Sequence, residues 1–296
     1  MKQLRSCILF CLFIVSCKSS TQSYNITPEE ILSDVTWLAS DELKGRHYRS
    51  QEARIAAQFI SKRFEEASLV PLPNKDSMYL PTDDPRDAPN VAAMWEGTSD
   101  QYILITAHYD HLRPRTHGID RIYNGADDNA SGTAALLAIA DALNAIQPTV
   151  ERSIVLVAFT GEEAGFAGSE HFVSSKPIPI DNIMGLINLD MISRGIPNTI
   201  FLEGSSMAPN ISKIIDEKNT QIGLTIIRDQ YPDWLDRSDQ APFMYIGVPC
   251  VFFSVEDHED YHRVTDHADK IMPDLAAKTA NLTLQTAIEL AHPAVP

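Results

Sequence analysis

Short apolar runs of strand type alternate along this chain with amphipathic stretches of helical spacing. That alternation constrains the fold more than any other feature. "NVAAMW", "YILITAHY", "SIVLVAFT", "IMGLINLDMI", "TIFLEG", "IGLTIIRD" and "VPCVFFSV" read as strands. "TPEEILSDVTWLAS" reads as a helix, with Thr27 as cap, Pro28 at the first helical position and Glu29 and Glu30 in the first turn. "SQEARIAAQFISKRFEEASL", "NASGTAALLAIADALNAI" (stopped by Pro148), "GSEHFVSS" and the closing "MPDLAAKTANLTLQTAIELAH" are further helices. Strands alternating with helices predict an α/β fold: a mixed, largely parallel central sheet flanked by helices on both faces. In such sheets ligands bind beyond the carboxyl ends of the strands.

Those ends are rich in metal-type ligands. "ITAHYDH" leaves its strand with His108 and Asp110, whose i, i+2 spacing places them on one face. "NGADDNASG" gives Asp127 and Asp128 just before a helix, "VAFTGEEAG" gives Glu162 and Glu163, "INLDMIS" gives Asp190, and "DYHRVTD" gives His262. Taken singly, each has an ordinary reading. His108-x-Asp110 makes a surface ion pair, "DDNASG" an Asx-type helix cap, "GEE" a solvated helix start, Asp190 a partner for Arg194, and His262 a loop histidine. Taken together, five such sites are hard to explain as solvated loops, because a buried lone carboxylate or imidazole costs several kcal/mol, roughly, unless paired or metal-bound.

In order, "AHYDH", "GADDNASG", "FTGEEAGFAGSEHF", "NLDMI", "RSDQAPF" and "YHRVTDHADK" resemble the blocks of the co-catalytic di-zinc exopeptidases. That group holds bacterial leucyl aminopeptidases, glutamate carboxypeptidase II and the glutaminyl cyclases. The resemblance runs from "NVAAMW" through "YHRVTDHADK", and "LKGR" at 43–46 resembles a segment of bacterial members. It implies a three-layer sandwich and two Zn2+ ions. His108 and Asp190 would serve one ion, Glu163 and His262 the other, and Asp128 rather than Asp127 would bridge them. Asp110 would orient the His108 ring, and the Asp128–Asn129 peptide would be cis. Two imidazoles and three carboxylates suit zinc. Glu162 would take a proton from the attacking water and pass it to the leaving amine. Neighbouring side chains on an extended chain point oppositely, so Glu162 and Glu163 are expected to face a water and a metal respectively.

Two positions depart from the family pattern. Ser238-Asp239-Gln240 stands where aminopeptidases often have Ser-Asp-His, and Leu235 and Asp236 stand where they often have a tyrosine. Tyr261 resembles the tyrosine that carboxypeptidase-type members use toward the oxyanion, and Tyr231 and Trp234 are further neighbours. The departure leaves specificity open. The leading expectation is an aminopeptidase acting on peptides. The alternatives are a glutaminyl cyclase-like acyltransferase with one zinc, a carboxypeptidase or dipeptidase, and a non-catalytic lipid-anchored binding protein.

The first residues read as a targeting segment. Lys2 and Arg5 precede an apolar run, Cys7 to Val15, that is too short to span a bilayer as a stable helix. "IVSC" resembles a lipobox, so Cys17 is the expected lipidation site. Residues 1–16 are then a signal peptide, 17–25 a lipidated tether, and 26–296 a single catalytic domain with no inserted lid. The expected location is the bacterial cell envelope, with membrane contact only through the lipid. Cys250 is then expected to be an unpaired, buried small hydrophobe. A formal charge of −16 on 296 residues argues against a nucleic-acid partner. Oligomeric state is not legible.

Overall fold

The computed structural model describes residues 24–292. In chain order the elements are α1 (Pro28–Leu38), α2 (Gln51–Glu66), β1 (Tyr79–Leu80), β2 (Asn90–Trp95), β3 (Tyr102–His108), α3 (Gly132–Ile146) and β4 (Ser153–Phe159). Then come α4 (Ala167–Ser175), β5 (Ile183–Leu189), β6 (Thr199–Glu203), α5 (Pro209–Ile222), β7 (Thr225–Arg228), α6 (Ala241–Tyr245), β8 (Cys250–Ser254) and α7 (Pro273–Ala291). Local chemistry sets the first boundary. Thr27 Oγ1 accepts from the Glu30 N–H at 3.3 Å, and the Glu30 carboxylate accepts from the Thr27 N–H at 2.7 Å, a reciprocal capping box.

All eight strands form one sheet in the order β1-β2-β4-β3-β5-β8-β6-β7. The central strands β4, β3, β5 and β8 run parallel, so their carboxyl ends share one edge. The outer pairings β1–β2, β2–β4 and β6–β8 are antiparallel, and β6–β7 is parallel. The mixed, largely parallel sheet is therefore as expected.

The strands divide their side chains between two cores with period two. Ile103, Ile105 and Ala107 of β3, with Ile154, Leu156 and Ala158 of β4, face the larger core under α1, α2, α3, α5 and α7. Tyr102 and Leu104, with Val155, Val157 and Phe159, face a smaller core closed by Phe172 of α4 and Phe243 of α6. Both faces are covered, which is why the central strands are mainly apolar on both faces, with Thr106 and Asn188 paired to each other. Cys250 is a buried free thiol in β8, and burial pushes its pKa up. No helix among the described residues is long and apolar enough to cross a membrane. Cys17 lies outside the described residues.

One expected strand is shorter than "IGLTIIRD". Ile222 ends α5, Gly223 turns the chain at φ +78°, and the strand begins at Thr225. The α5 helix was not among the expected elements; it sets Ile211 and Ile215 into the larger core, with Ile214 and Ile222 packed beside them.

Candidate metal centre

The parallel strand ends build a cluster of imidazoles and carboxylates. His108 is the last residue of β3 and is buried. Its Nε2 lies 3.1 Å from Asp190 Oδ1 and 3.4 Å from Asp128 Oδ1. Its Nδ1 is held at 3.1 Å by the main-chain carbonyl of Asp110, while the Asp110 carboxylate stands 3.7 Å away. The ring is thus oriented by Asp110 through its backbone. The Asp110 carboxylate instead accepts the Glu162 N–H at 3.2 Å, tying the β3 end to the turn that carries the glutamates. Asp190 follows β5 directly and pairs with Ser238, not Arg194. Ser238 Oγ donates to its Oδ2 at 2.7 Å, Asn188 Nδ2 donates to Ser238 Oγ at 2.9 Å, and Thr106 Oγ1 donates to Asn188 Oδ1 at 2.7 Å. Arg194 pairs with Asp260 at 2.8 Å.

The second group is built from turns. Glu163 lies in a short 3-10 turn, Glu162–Ala164, between Gly161 and Gly165, both in the left-handed region. The two glutamates therefore diverge because of a turn and not an extended strand. Glu163 Oε2 lies 3.3 Å from His262 Nε2, and Asp128 Oδ2 lies 3.2 Å from the same nitrogen. His262 sits in a loop at φ +53° with its side chain 37% exposed, against 1% for His108.

Asp128 thus offers Oδ1 to one imidazole and Oδ2 to the other. Its peptide to Asn129 is cis. Asp127 faces away from both: Oδ1 accepts from Ser193 N–H and Oγ at 2.7 and 2.6 Å, and Oδ2 lies 3.1 Å from His258 Nε2. Asn129 fixes the entry to α3, its Oδ1 accepting the Gly132 N–H at 2.9 Å. Gly132 is required there, because a Cβ would stand 2.3 Å from the Leu189 carbonyl oxygen.

The two groups of mutually close donors are His108, Asp128 and Asp190, and His111, Asp128 and Glu163; Glu162 and His262 belong to neither, but His262 alone of the two stands against their carboxylates, at 3.2 Å from Asp128 and 3.3 Å from Glu163. Burial, with Asp190, Asp239 and Glu163 adding to it, holds the pKa of Glu162 well above the usual carboxylate range against the pull of His108. Asp239 is buried too and is pushed up to about 7 by burial; its Oδ1 accepts from Ser169 Oγ at 2.6 Å. Tyr261 stacks on His262 with ring centroids 4.0 Å apart, and burial raises its phenol. A cavity of about 30 Å3 next to Asp190 is lined by Trp234, Arg237, Phe252 and Tyr261 among others. Tyr231 is not among its lining residues; it stacks on Trp234 at 4.5 Å. Gln240, where the resembled aminopeptidases often have histidine, is held by hydrogen bonds at both ends of its amide. Its Oε1 accepts from Asn188 at 2.9 Å, and its Nε2 donates to the carbonyls of Trp234 and Leu235.

Three residues escaped the reading of the sequence. The wholly buried Arg46 of "LKGR" donates to the carbonyls of Leu38, Tyr109, Asn124 and Gly125, bracing the segments that carry His108 and Asp128. Asn90 accepts the Thr160 N–H at 3.0 Å and donates to the Gly168 carbonyl at 2.9 Å, bracing the glutamate turn. His111 Nδ1 lies 2.7 Å from Glu163 Oε1. The "AHYDH" block held that signal, but only its His-x-Asp pair had been used.

The donor set fits zinc. Ligand atoms sharing a tetrahedral zinc with bonds near 2.1 Å stand about 3.4 Å apart. The distances around His108 and His262 run from 3.1 to 3.4 Å. The carboxylates of Asp128, Glu163 and Asp190 converge here, while the nearby Arg46 guanidinium is committed to carbonyls, so a cation is the natural counter-charge.

Comparison with known proteins agrees with this chemistry. Leupeptin-inactivating enzyme 1 of Streptomyces exfoliatus is 31% identical over 163 residues, covering 54% of this chain and 34% of that protein. The chain spans about a third of the length of the first curated relatives it matches. Among solved structures, LapA of Legionella pneumophila superposes with a TM-score of 0.75 at 20% identity, covering 90% of this chain and 74% of that one. BSAP, a zinc aminopeptidase from Bacillus subtilis, superposes with a TM-score of 0.73 at 14% identity, covering 92% and 97%. These likenesses establish the fold. The profile of peptidase family M28 matches residues 90–287, which span every candidate ligand from His108 to His262, and the chain therefore belongs to peptidase family M28.

Proposed function

We propose that this chain is a zinc-dependent aminopeptidase that holds two zinc ions and removes N-terminal residues from peptides. One observation carries the reading: two imidazole–carboxylate clusters share Asp128, and Glu162 lies beside them without joining either. His108 and Asp190 would hold one ion, Glu163 and His262 the other, with Asp128 between them. When bound, such a pair lowers the pKa of a water and takes up charge developing on the substrate carbonyl oxygen. Glu162 supplies the base. It accepts the proton of the attacking water and delivers it to the departing amine. Its raised affinity for a proton suits both halves of that transfer, since a base must also become an acid. The Tyr261 phenol, whose pKa burial raises, would keep its proton at neutral pH and donate to the carbonyl oxygen.

The testing experiment is an assay of purified protein on aminoacyl-p-nitroanilides, N-acylated and C-terminally blocked dipeptides, and glutaminyl peptides. Release of the amine only from free N-termini supports the reading. Hydrolysis that survives N-acylation but not C-terminal blocking favours a carboxypeptidase, and pyroglutamyl product with one bound metal favours a cyclase. No turnover of any of them favours a binding protein. Export and anchoring through Cys17 belong to the same proposal; mass analysis of the mature N-terminal peptide from cell envelopes checks them by its acyl chains.

A further inference from the structure

We propose that His111 is a positioning residue that aims Glu163 at its metal by donating the Nδ1–H to Oε1. The inference rests on reading the Glu163–His262 cluster as a metal site. The two oxygens of Glu163 have different partners. Oε2 lies 3.3 Å from His262 Nε2, which matches two ligands sharing one ion. Oε1 lies 2.7 Å from His111 Nδ1, too short for ligands on a common tetrahedral ion and right for an N–H···O hydrogen bond. One oxygen is left for the metal and the other is held by the protein.

The tautomer follows from burial. His111 is fully buried and its Nε2 has no hydrogen-bond partner. A proton there would be a buried donor with no acceptor, which costs more than an unpaired lone pair. The proton therefore sits on Nδ1, and a protonated Nδ1 cannot itself ligate. The ring is fixed in a slot. It meets His262 edge to face at 5.8 Å, and a Cβ on Gly125 would come within 2.6 Å of its Cδ2.

Glu163 needs such a brace where Asp190 has another. Asp190 follows a central strand and is held by Ser238. Glu163 stands on a three-residue turn between two glycines, and the sheet does not set its direction. Hydrogen bonds to ligating carboxylates of this kind commonly govern metal affinity by about ten- to a hundredfold.

The experiment compares zinc affinities of the wild-type, His111→Phe, His111→Asn and Glu163→Ala proteins by competition with a chromophoric chelator. Glu163→Ala identifies the zinc that depends on that carboxylate. His111→Phe should weaken the same zinc by about ten- to a hundredfold and leave the other within about twofold. His111→Asn, whose amide N–H replaces Nδ1–H, should recover most of the loss and keeps the test intact if the Phe variant fails to fold. Wild-type affinity at both sites in His111→Phe overturns the proposal. So does a visible spectrum of the cobalt-substituted protein in which His111→Asn loses a nitrogen ligand, because His111 would then be a ligand itself. A wild-type count of one metal overturns the two-zinc reading separately. The His111 proposal then stands if His111→Phe weakens that metal and His111→Asn restores it, and falls otherwise.

Discussion

The two halves of the centre hang from different kinds of structure. His108 and Asp190 extend directly from adjacent parallel strands, 1% and 10% exposed, and Asp190 is fixed by the series Thr106, Asn188, Ser238. Glu163 and His262 come from a glycine-flanked turn and a loop, and His262 is 37% exposed. That loop is held by Asp260, which pairs with Arg194 at 2.8 Å, Lys270 at 2.6 Å and Thr265 at 2.6 Å. One half inherits its geometry from the core, and the other must be built by side-chain bonds. The lesson is that ligands of equal chemical type in one centre differ in what holds them, so they should fail under different insults.

The largest expected effect separates the adjacent glutamates. Glu162→Gln should reduce turnover by about 10²- to 10⁴-fold while metal analysis finds the wild-type content. Loss of metal in that variant would place Glu162 among the ligands and erase the distinction between the pair. Next comes removal of metal. Dialysis against a chelator should proceed in two phases, the turn-borne zinc leaving at least about tenfold more readily than the strand-borne one. Glu163→Ala should abolish the first phase and His108→Ala the second. A single phase would mean that the two halves behave as one unit.

Smaller and more local are the supports. Ser238→Ala should weaken only the strand-borne metal, and Asp260→Asn only the turn-borne one, each by about tenfold, read by the same competition. Equal effects of either variant on both sites would blur the comparison.

The smallest effect is a pH dependence. In the metal-free protein burial opposes charge on His108 and His262. Asp190 and Glu162 more than offset it at His108, raising its pKa well above the usual imidazole value, and Asp128 and Glu163 raise His262 to about 10. The His262 ring therefore carries a proton at pH 7, whereas ligation requires it neutral. Zinc binding should release protons, measured by calorimetry in buffers of different ionisation enthalpy, and affinity should keep rising until pH passes about 10, the value of His262. The same raised imidazoles stabilise the metal-free fold fully below their unfolded pKa near 6.5. That contribution is lost as pH rises through about 10 for His262.

The same division governs what was legible in the sequence. His108 and Asp190 could be read because an apolar run defines a strand and so locates its end. The preference for Asp128 over Asp127 came from the family motif, and Asp127 is engaged with Ser193 and His258. The turn-borne half resisted such reading. The opposed directions of Glu162 and Glu163 were ascribed to extended backbone, but β4 ends at Phe159 and the pair lies in a 3-10 turn. His111 was not read because only the His108-x-Asp110 pair of its block was used; β3 ends at His108, so strand alternation does not set the direction of His111. Arg46 was part of a recognised segment, but its four carbonyl acceptors come from three separate stretches of chain that only the fold brings together. The α5 helix was legible and was overlooked: Ile211, Ile214, Ile215 and Ile222 recur at helical spacing and pack on the larger core.

The central claim is a centre of two zinc ions sharing Asp128 and serving hydrolysis at a free N-terminus. Its most direct test is a zinc titration of the metal-free protein, with bound metal and release of p-nitroaniline from an aminoacyl substrate followed on the same samples. The account predicts that activity reaches its plateau only at two equivalents, and that Asp128→Ala never reaches it. Full activity at one equivalent, with no further zinc bound at site-saturating concentrations, would contradict it.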